Sequence, residues 1–189
     1  MEPLYLHMAI VGCTPPGRFT EQHDVFFGIG PNMPALIPEL LQFWPEAEGR
    51  LHIDAWRRVT CVDGHHITVG PAHGITEMAT GSTLKLFFLN LGGYRPGEFE
   101  EYHYKMLVAA TDQGKAIRQA KETAFYKHSG FKGAESHVDD KYGVDVDDVH
   151  AIRDILDKRY KEQYRIVLTE KENLPVDELH IGYFKLDKL

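Results

Sequence analysis

Apolar stretches of strand length alternate with glycine- and proline-rich breaks along the first third of the chain. Residues 4–11 are apolar enough to form a strand with at least one buried face, and residues 23–29 form a second such stretch. Residues 12–17 lie between them and hold two glycines and two prolines, which is the composition of a turn. The pattern therefore predicts two strands joined by a turn, followed by closing strands around 51–55 and 59–68.

The same order of patterns returns 80 residues later. Strands are predicted over 84–91 and 103–110, and Asp112 is a plausible N-cap for a helix that ends at Lys127. The apolar stripe of this helix is Ala116, Ile117, Ala120 and Ala124. In the first half the corresponding stripe is shorter and comprises Leu36, Ile37, Leu40, Leu41 and Trp44. Pro38 must lie in the first turn of this helix or kink it.

Direct comparison of the halves strengthens the match. At an offset of 80, eight of twenty positions are identical: Leu4, Leu6, Gly12, Pro16, Gly17, Phe19, Glu21 and His23 meet Leu84, Leu86, Gly92, Pro96, Gly97, Phe99, Glu101 and His103. At an offset of 85, His52, Asp54, Val59, Asp63, His65 and Ile67 meet His137, Asp139, Val144, Asp148, His150 and Ile152. Self-similarity at a fixed offset indicates a repeated structural unit. We interpret residues 4–67 and 84–152 as two diverged copies, with an insertion near 129–133.

The resulting fold class is α+β, a tandem duplication of a strand-strand-helix-strand-strand module. The predicted boundaries are a first module at 1–69, a linker at 70–83, a second module at 84–152 and a C-terminal extension at 153–189. Modules of about 65 residues are marginal alone, so we expect the two to pack as a pseudo-twofold pair. The extension is predicted to hold a helix at 154–163 and strands at 165–169 and 179–186.

Charge and cysteine content restrict the environment of the protein. The formal charge of −7, from 21 basic and 28 acidic residues, argues against nucleic acid or an anionic membrane as partner. Two cysteines do not make a disulfide framework, and no apolar segment approaches the roughly 20 residues of a membrane span. We therefore expect a cytoplasmic protein.

Several motifs resemble those of a bacterial family of unknown function, DUF1543. They are Pro-Pro-Gly-Arg-Phe-Thr-Glu-Gln-His-Asp at 15–24, His-Ile-Asp-Ala-Trp at 52–56, Val-Asp-Gly at 62–64, Gly-Glu-Phe-Glu-Glu-Tyr-His at 97–103 and His-Val-Asp-Asp-Lys-Tyr-Gly at 137–143. The resemblance implies a bacterial origin and one or two copies of the domain. It implies no activity, because the family has no assigned function.

Two polar pairs recur in both copies, Glu-x-His and His-x-Asp. On a strand, residues i and i+2 share a face, so each pair sets an imidazole beside a carboxylate. Such a pair can ligate a metal or orient a histidine as an acid or base. If the strands are neighbours, each copy gathers four such residues: Glu21, His23, His52 and Asp54, and Glu101, His103, His137 and Asp139. The more ordinary interpretation is structural, with polar pairs that bond backbone groups at strand ends.

The glycine-rich loops are weaker candidates. They follow strands, and Arg18 and Arg95 are placed to bind a small anion. Each loop leads into a strand instead of a helix and lacks the Walker lysine, so a turn is the favoured interpretation.

Three functions remain open on the sequence. The first is a small-ligand-binding or regulatory module, whose ligand is an unknown small molecule. The second is a small hydrolase or lyase with a Glu/His/His/Asp site, for which a divalent metal fits but is not required. The third is an interaction module that forms a homo-oligomer without a small ligand. The sequence does not decide whether the protein is an enzyme.

Overall fold

The computed structural model describes residues 2–72, 83–94, 97–127 and 145–189. The strands are β1 (Tyr5–Cys13), β2 (Gln22–Gly30), β3 (His52–Val59), β4 (Cys61–Val62), β5 (His65–Pro71), β6 (Lys85–Tyr94), β7 (Glu101–Ala110), β8 (Asp145–Ala151), β9 (Tyr164–Glu170) and β10 (His180–Lys185). The helices are α1 (Ile37–Phe43), α2 (Gln113–Lys127), α3 (Ile152–Ile155) and α4 (Lys158–Gln163). This mixture of antiparallel strands and helices is an α+β fold. No helix in the described ranges is long and apolar enough to cross a membrane.

The chain divides into two compact units. One comprises Met1–Thr80 together with Leu156–Leu189, and the other comprises Gly81–Ile155. Similar strand arrangements open both units: β1 pairs with β2 and β3, and β6 pairs with β7 and β8, always antiparallel.

The first unit contains a four-stranded sheet in the order β10-β3-β1-β2 and a three-stranded sheet in the order β4-β5-β9. Strand β1 is central, and Ala9, Val11 and Cys13 point from it into a core that also includes Leu36 and Leu40. Because side chains alternate along a strand, Gly12 lies on the opposite face from this core.

The helical stripe of the first unit is only partly as predicted. Leu36 and Leu40 are buried, but Leu41 is 47% exposed, so it does not belong to the stripe. The physical reason is the short length of α1: Pro34–Leu36 forms a separate 3₁₀ turn before it. Pro38 lies in the first helical turn, where its missing N–H costs no hydrogen bond, as predicted.

The C-terminal extension adds two strands to the first unit. Strand β9 pairs with β5, and β10 pairs with β3 at the edge of the larger sheet. The single helix predicted at 154–163 is wrong, since the structure has α3 and α4 instead. Asp157 separates them because it is extended and its carboxylate caps α4, accepting a hydrogen bond from the amide of Arg159.

In the second unit, the sheet order is β7-β6-β8 and α2 packs on it. The Asp112 carboxylate accepts a hydrogen bond from the amide of Lys115 at 2.9 Å, which confirms the predicted N-cap. Ala116 and Ala120 are fully buried against β6 and β7 residues.

The closing strands of the first unit differ from the prediction. Residues 52–59 form one continuous strand, and the hairpin that follows turns at Asp63 and Gly64, both with positive φ. Asp148, which the offset of 85 aligns with Asp63, lies instead within β8 opposite Asn90. The alignment of β8 with the first unit at an offset of 85 is therefore wrong. The register of β8 is set by its pairing with β6, and residue identities do not determine that pairing. His137 and Asp139 lie outside the described residues. The predicted linker at 70–83 begins within β5, which continues to Pro71, and residues 73–82 of it are also outside the described ranges.

Asp177 attaches the C-terminal extension to the corner between β3 and β4. Its carboxylate is 2% exposed and accepts hydrogen bonds from the Thr60 amide at 2.8 Å, the Thr60 hydroxyl at 2.7 Å and the Cys61 amide at 3.1 Å. Arg57 lies 3.7 Å from its second oxygen. Three donors from one corner of the sheet thus depend on one acceptor far along the chain.

We expect Asp177→Ala to lower the free energy of unfolding by roughly 3–5 kcal/mol, because it leaves the buried donors of Thr60 and Cys61 without their acceptor and removes the carboxylate beside Arg57. Urea denaturation measures the change. Glu178→Ala is the matched control, since Glu178 is 84% exposed, and should change stability by less than about 0.5 kcal/mol. Equal effects of the two substitutions would contradict the assignment.

His7 is a second buried polar group, on β1. It is fully buried, and its Nε2 lies 3.2 Å from the carbonyl oxygen of Gly30. A carbonyl only accepts, so Nε2 carries the proton, and Nδ1 has no hydrogen-bond partner among the described residues. Burial lowers the pKa of His7 from 6.5 to about 4, against the opposing effect of the Gly30 hydrogen bond.

Because the folded-state pKa of His7 lies below the unfolded value, the unfolded chain binds an extra proton as pH falls. His7 should therefore reduce stability progressively between about pH 6.5 and pH 4, by at most about 3 kcal/mol. Urea denaturation at several pH values should give a shallower slope for His7→Gln than for the wild type. His65→Gln, at a residue that is not buried, should leave the slope unchanged. Identical slopes for the wild type and His7→Gln would refute the role of His7.

Candidate functional site

The site is built around a glycine on the central strand of the first unit. Gly12 on β1 is the direct partner of His23 on β2 and of His52 on β3. Directly opposed residues of neighbouring strands project to the same face, so the two imidazoles flank a position that has no side chain.

Two carboxylates join the histidines. Glu21 stands two residues before His23, at the entrance to β2. On β3 the pairing with β1 shifts between Ile53 and Ala55, so Asp54 is the extra residue of a β-bulge. A bulge re-aims its side chain, and here it brings the Asp54 carboxylate against both histidines.

The four side chains, which we call the first cluster, form a closed ring of alternating imidazoles and carboxylates. The Nε2 of His23 lies 3.6 Å from Glu21 Oε2 and 3.2 Å from Asp54 Oδ2. The Nε2 of His52 lies 3.1 Å from Glu21 Oε1 and 3.2 Å from Asp54 Oδ1. Each carboxylate thus bridges the two histidines with its two oxygens.

Burial is uneven around this ring. The side chain of His52 is 5% exposed and that of Asp54 is 31% exposed, whereas Glu21 and His23 are more than 40% exposed. The ring therefore has a buried end and an end open to solvent.

Two atoms at the buried end lack hydrogen bonds. His52 Nε2 and Asp54 Oδ2 are inaccessible to solvent and have no hydrogen-bond partner among the described residues, despite the short distances around the ring. The distances are short, but the angles do not suit a hydrogen bond. No hydrogen bond in the described part of the chain joins the cluster to a backbone group, so it lacks the bonds that the structural interpretation requires.

Residues 18–69 match the family described as Domain of Unknown Function (DUF1543). Over these residues, the chain is similar to the DUF1543 family. The matched segment contains all four residues of the first cluster. No curated protein matches the chain.

One solved structure has a similar fold over nearly the whole chain, including the parts outside residues 18–69. It is described as the crystal structure of a protein Il1583 from Idiomarina loihiensis, with a TM-score of 0.61 and 23% identity, covering 97% of each chain. At this identity the likeness shows the fold alone.

Part of the first cluster's wall comes from outside the DUF1543 match. The ring of Tyr183, on β10, lies over the imidazole of His52 with 4.3 Å between centroids and 31° between planes. Gly182 has a φ of 149°, and the pairing of β10 with β3 is irregular between Ile181 and Phe184. Sequence reasoning missed Tyr183, because nothing local links it to a residue so far back along the chain.

The second unit carries a related group, which we call the second cluster: Glu101, His103 and Asp147. One donor atom from each lies within 4.8 Å of the others. Glu101 and His103 were among the predicted residues, whereas Asp147 was not. Its signal is the Asp-x-Asp pattern at 145–147, which matches His-x-Asp at 52–54 at an offset of 93.

Among the described residues, the other sequence candidates are not part of either cluster. Arg18 is exposed in the turn after β1, and Arg95 lies outside the described residues. Cys13 and Cys61 are both free, and burial raises the pKa of each thiol, which disfavours the nucleophilic thiolate.

The first cluster depends on the absence of a side chain at Gly12. A Cβ there would lie 2.8 Å from His52 Nε2, 2.9 Å from Asp54 Oδ2 and 3.1 Å from His23 Cδ2. Only glycine leaves room for the ring above the strand.

We expect Gly12→Ala to displace the His23 and His52 rings and to destabilise the fold by about 1–3 kcal/mol through overpacking. Two-bond ¹H–¹⁵N spectra of the imidazoles report the displacement. Gly92→Ala is the matched control in the second unit, where a Cβ would lie 2.5 Å from Asp147 Oδ2, and it should shift only His103. Unchanged His23 and His52 resonances in Gly12→Ala would contradict the packing.

Proposed function

We propose that the first cluster is a binding site for a divalent transition-metal ion, and that the protein is a small-ligand-binding module whose ligand is this ion. The residues in the proposed coordination sphere are Glu21, His23, His52 and Asp54. The observation that carries the proposal is the buried Nε2 of His52, which lies against two carboxylate oxygens without a hydrogen bond.

The electrostatics of that nitrogen support a cation between the donors. If Nε2 carried a proton, it would form ion pairs with Glu21 and Asp54, but the buried N–H would lack an aligned hydrogen bond. If Nε2 is a lone pair, it faces two carboxylate oxygens at 3.1 and 3.2 Å, and like partial charges repel. A metal ion placed between the donors satisfies the nitrogen lone pair and both carboxylates together.

The spacing of the donors agrees with this occupant along the sides of the ring. Donor atoms at metal–ligand distances of about 2.0–2.2 Å lie roughly 3–3.6 Å apart when they subtend angles of about 90–120° at the ion. The four nitrogen–oxygen distances of the ring span 3.1–3.6 Å, but each histidine contacts a different oxygen of each carboxylate, so an ion bound by all four residues would draw these side chains inward. Within the described part of the chain, three residues already bring one donor atom each within 4.8 Å of one another only in the second cluster. Two imidazoles with two carboxylates suit zinc and its neighbours among the divalent transition metals.

The hydrolase or lyase alternative uses the same residues. It is favoured by the exposure of Glu21 and His23 at the open end of the ring, where an ion keeps an accessible coordination position. An ion held there would supply an activated water, and Glu21, which is 44% exposed, would be the carboxylate that could take its proton. The homo-oligomeric interaction module stays a prediction.

We also infer that the two units arose by duplication. Support comes from their equal pairing order, from His23 and His103 opposite Gly12 and Gly92, and from a bulge at the equivalent point of β3 and β8. The pseudo-twofold arrangement and the cytoplasmic location stay predictions; the two free cysteines agree with a reducing compartment.

Native mass spectrometry of the full chain purified from cells should show a retained metal ion, and the chelated protein should rebind Zn²⁺. His52→Ala should weaken zinc binding by more than about 100-fold, since substitutions outside the coordination sphere already cost about 10–100-fold. His23→Ala should cause a similar loss with little change in melting temperature, because that side chain is 43% exposed.

His65→Ala is the control, since His65 bonds the Asp63 carbonyl and lies outside the cluster. Its zinc affinity should equal that of the wild type. A chain that binds no zinc, and that His52→Ala merely destabilises, would instead establish the cluster as structural.

A further inference from the structure

The second cluster repeats the construction of the first in the other unit. Gly92 on β6 is the direct partner of His103 on β7 and of Asp145 on β8, as Gly12 is of His23 and His52. The pairing of β8 with β6 skips Asp147, so this residue occupies the bulge as Asp54 does.

The glycine again leaves space for a carboxylate. A Cβ on Gly92 would lie 2.5 and 2.8 Å from the two oxygens of Asp147. Asp147 Oδ2 in turn lies 3.3 Å from His103 Nε2, and Glu101 Oε2 lies 3.9 Å from the same nitrogen. The three donors therefore converge above the strand from two neighbouring strands.

The donor set differs from that of the first cluster in one respect. Asp145 is paired with Gly92 as His52 is paired with Gly12. The second unit therefore has an aspartate where the first unit has its second histidine. The described donors are one imidazole and two carboxylates, each more than 30% exposed. Fewer nitrogens favour ions that prefer oxygen, such as Mn²⁺ and Mg²⁺, and greater exposure weakens the hold on any ion.

We propose that Glu101, His103 and Asp147 form a second divalent-cation site that takes an oxygen-preferring ion of the Mn²⁺ class, more weakly than the first cluster holds zinc. The proposal rests on the metal-binding function proposed above for the shared geometry. The protein then carries two non-equivalent cation sites, one in each unit, that differ through the exchange of a histidine for an aspartate.

The test removes the first cluster and follows the second. In a full-length His23→Ala/His52→Ala chain, Mn²⁺ titration followed by the electron paramagnetic resonance signal of free Mn²⁺ should show one site, with a Kd of roughly 0.1–1 mM, as for exposed oxygen-rich sites. Adding Asp147→Ala should weaken binding by at least about 10-fold, since a first-sphere ligand is lost.

Asp148→Ala is the matched control on the same strand. It removes an equal charge, but the Asp148 carboxylate accepts a hydrogen bond from the Asn90 amide at 3.3 Å and is not in the cluster. It should change the Mn²⁺ affinity by less than about 2-fold, as a screened surface charge does. Equal losses from Asp147→Ala and Asp148→Ala would overturn the site, because diffuse acidic charge would then explain the binding.

Two further measurements complete the design. If Asp147→Ala fails to fold by circular dichroism, Glu101→Gln must show the same loss of Mn²⁺, and its failure to do so overturns the proposal. Failure of the first-cluster proposal is detected in a different measurement, in which His52→Ala leaves zinc binding unchanged. Asp147-dependent Mn²⁺ binding is measured in a chain that lacks both first-cluster histidines, so it stands or falls independently.

Discussion

The approach of side chains over Gly12 is the constraint on which the first unit's site depends. The central strand β1 is buried along nearly all its length, and Gly12 is the point on its non-core face where no Cβ occupies the space between β2 and β3. Cross-strand register places His23 and His52 on either side of that space. Without the glycine, the imidazoles and the Asp54 carboxylate would collide with the strand.

The bulge at Asp54 is the second geometric requirement. In a regular antiparallel pair, every residue of β3 would face a residue of β1, and Asp54 would lie opposite Ile10, two residues from Gly12. Because Asp54 is the extra residue of the bulge, it has no partner on β1, and its carboxylate contacts both histidines. The same exchange occurs at Asp147 in the second unit, so the bulge belongs to the design of both clusters.

The C-terminal extension belongs structurally to the first unit. Strands β9 and β10 complete its two sheets, Asp177 satisfies three donors at the β3–β4 corner, and Tyr183 covers His52. Glu39 on α1 likewise accepts a hydrogen bond from Tyr160 and pairs with Arg159, both on α4. A module of about 65 residues buries too little surface to be stable alone, and the strands of the extension add to the surface that the first unit buries.

Local pattern in the sequence determined the elements that depend only on nearby residues. Strands β1, β2, β6 and β7, the Asp112 cap and the turns at Gly17 and Gly97 follow from hydrophobic period, capping chemistry and positive φ. The Glu-x-His pairs were also visible, since residues two apart share a face of a strand. Tertiary structure alone decided that Asp147 joins His103, that β10 lies beside β3, and that Leu41 faces solvent. The reason is that register, bulges and the pairing of distant strands are fixed by contacts across the sheet, and no spacing within one segment records which residue of another strand it will face.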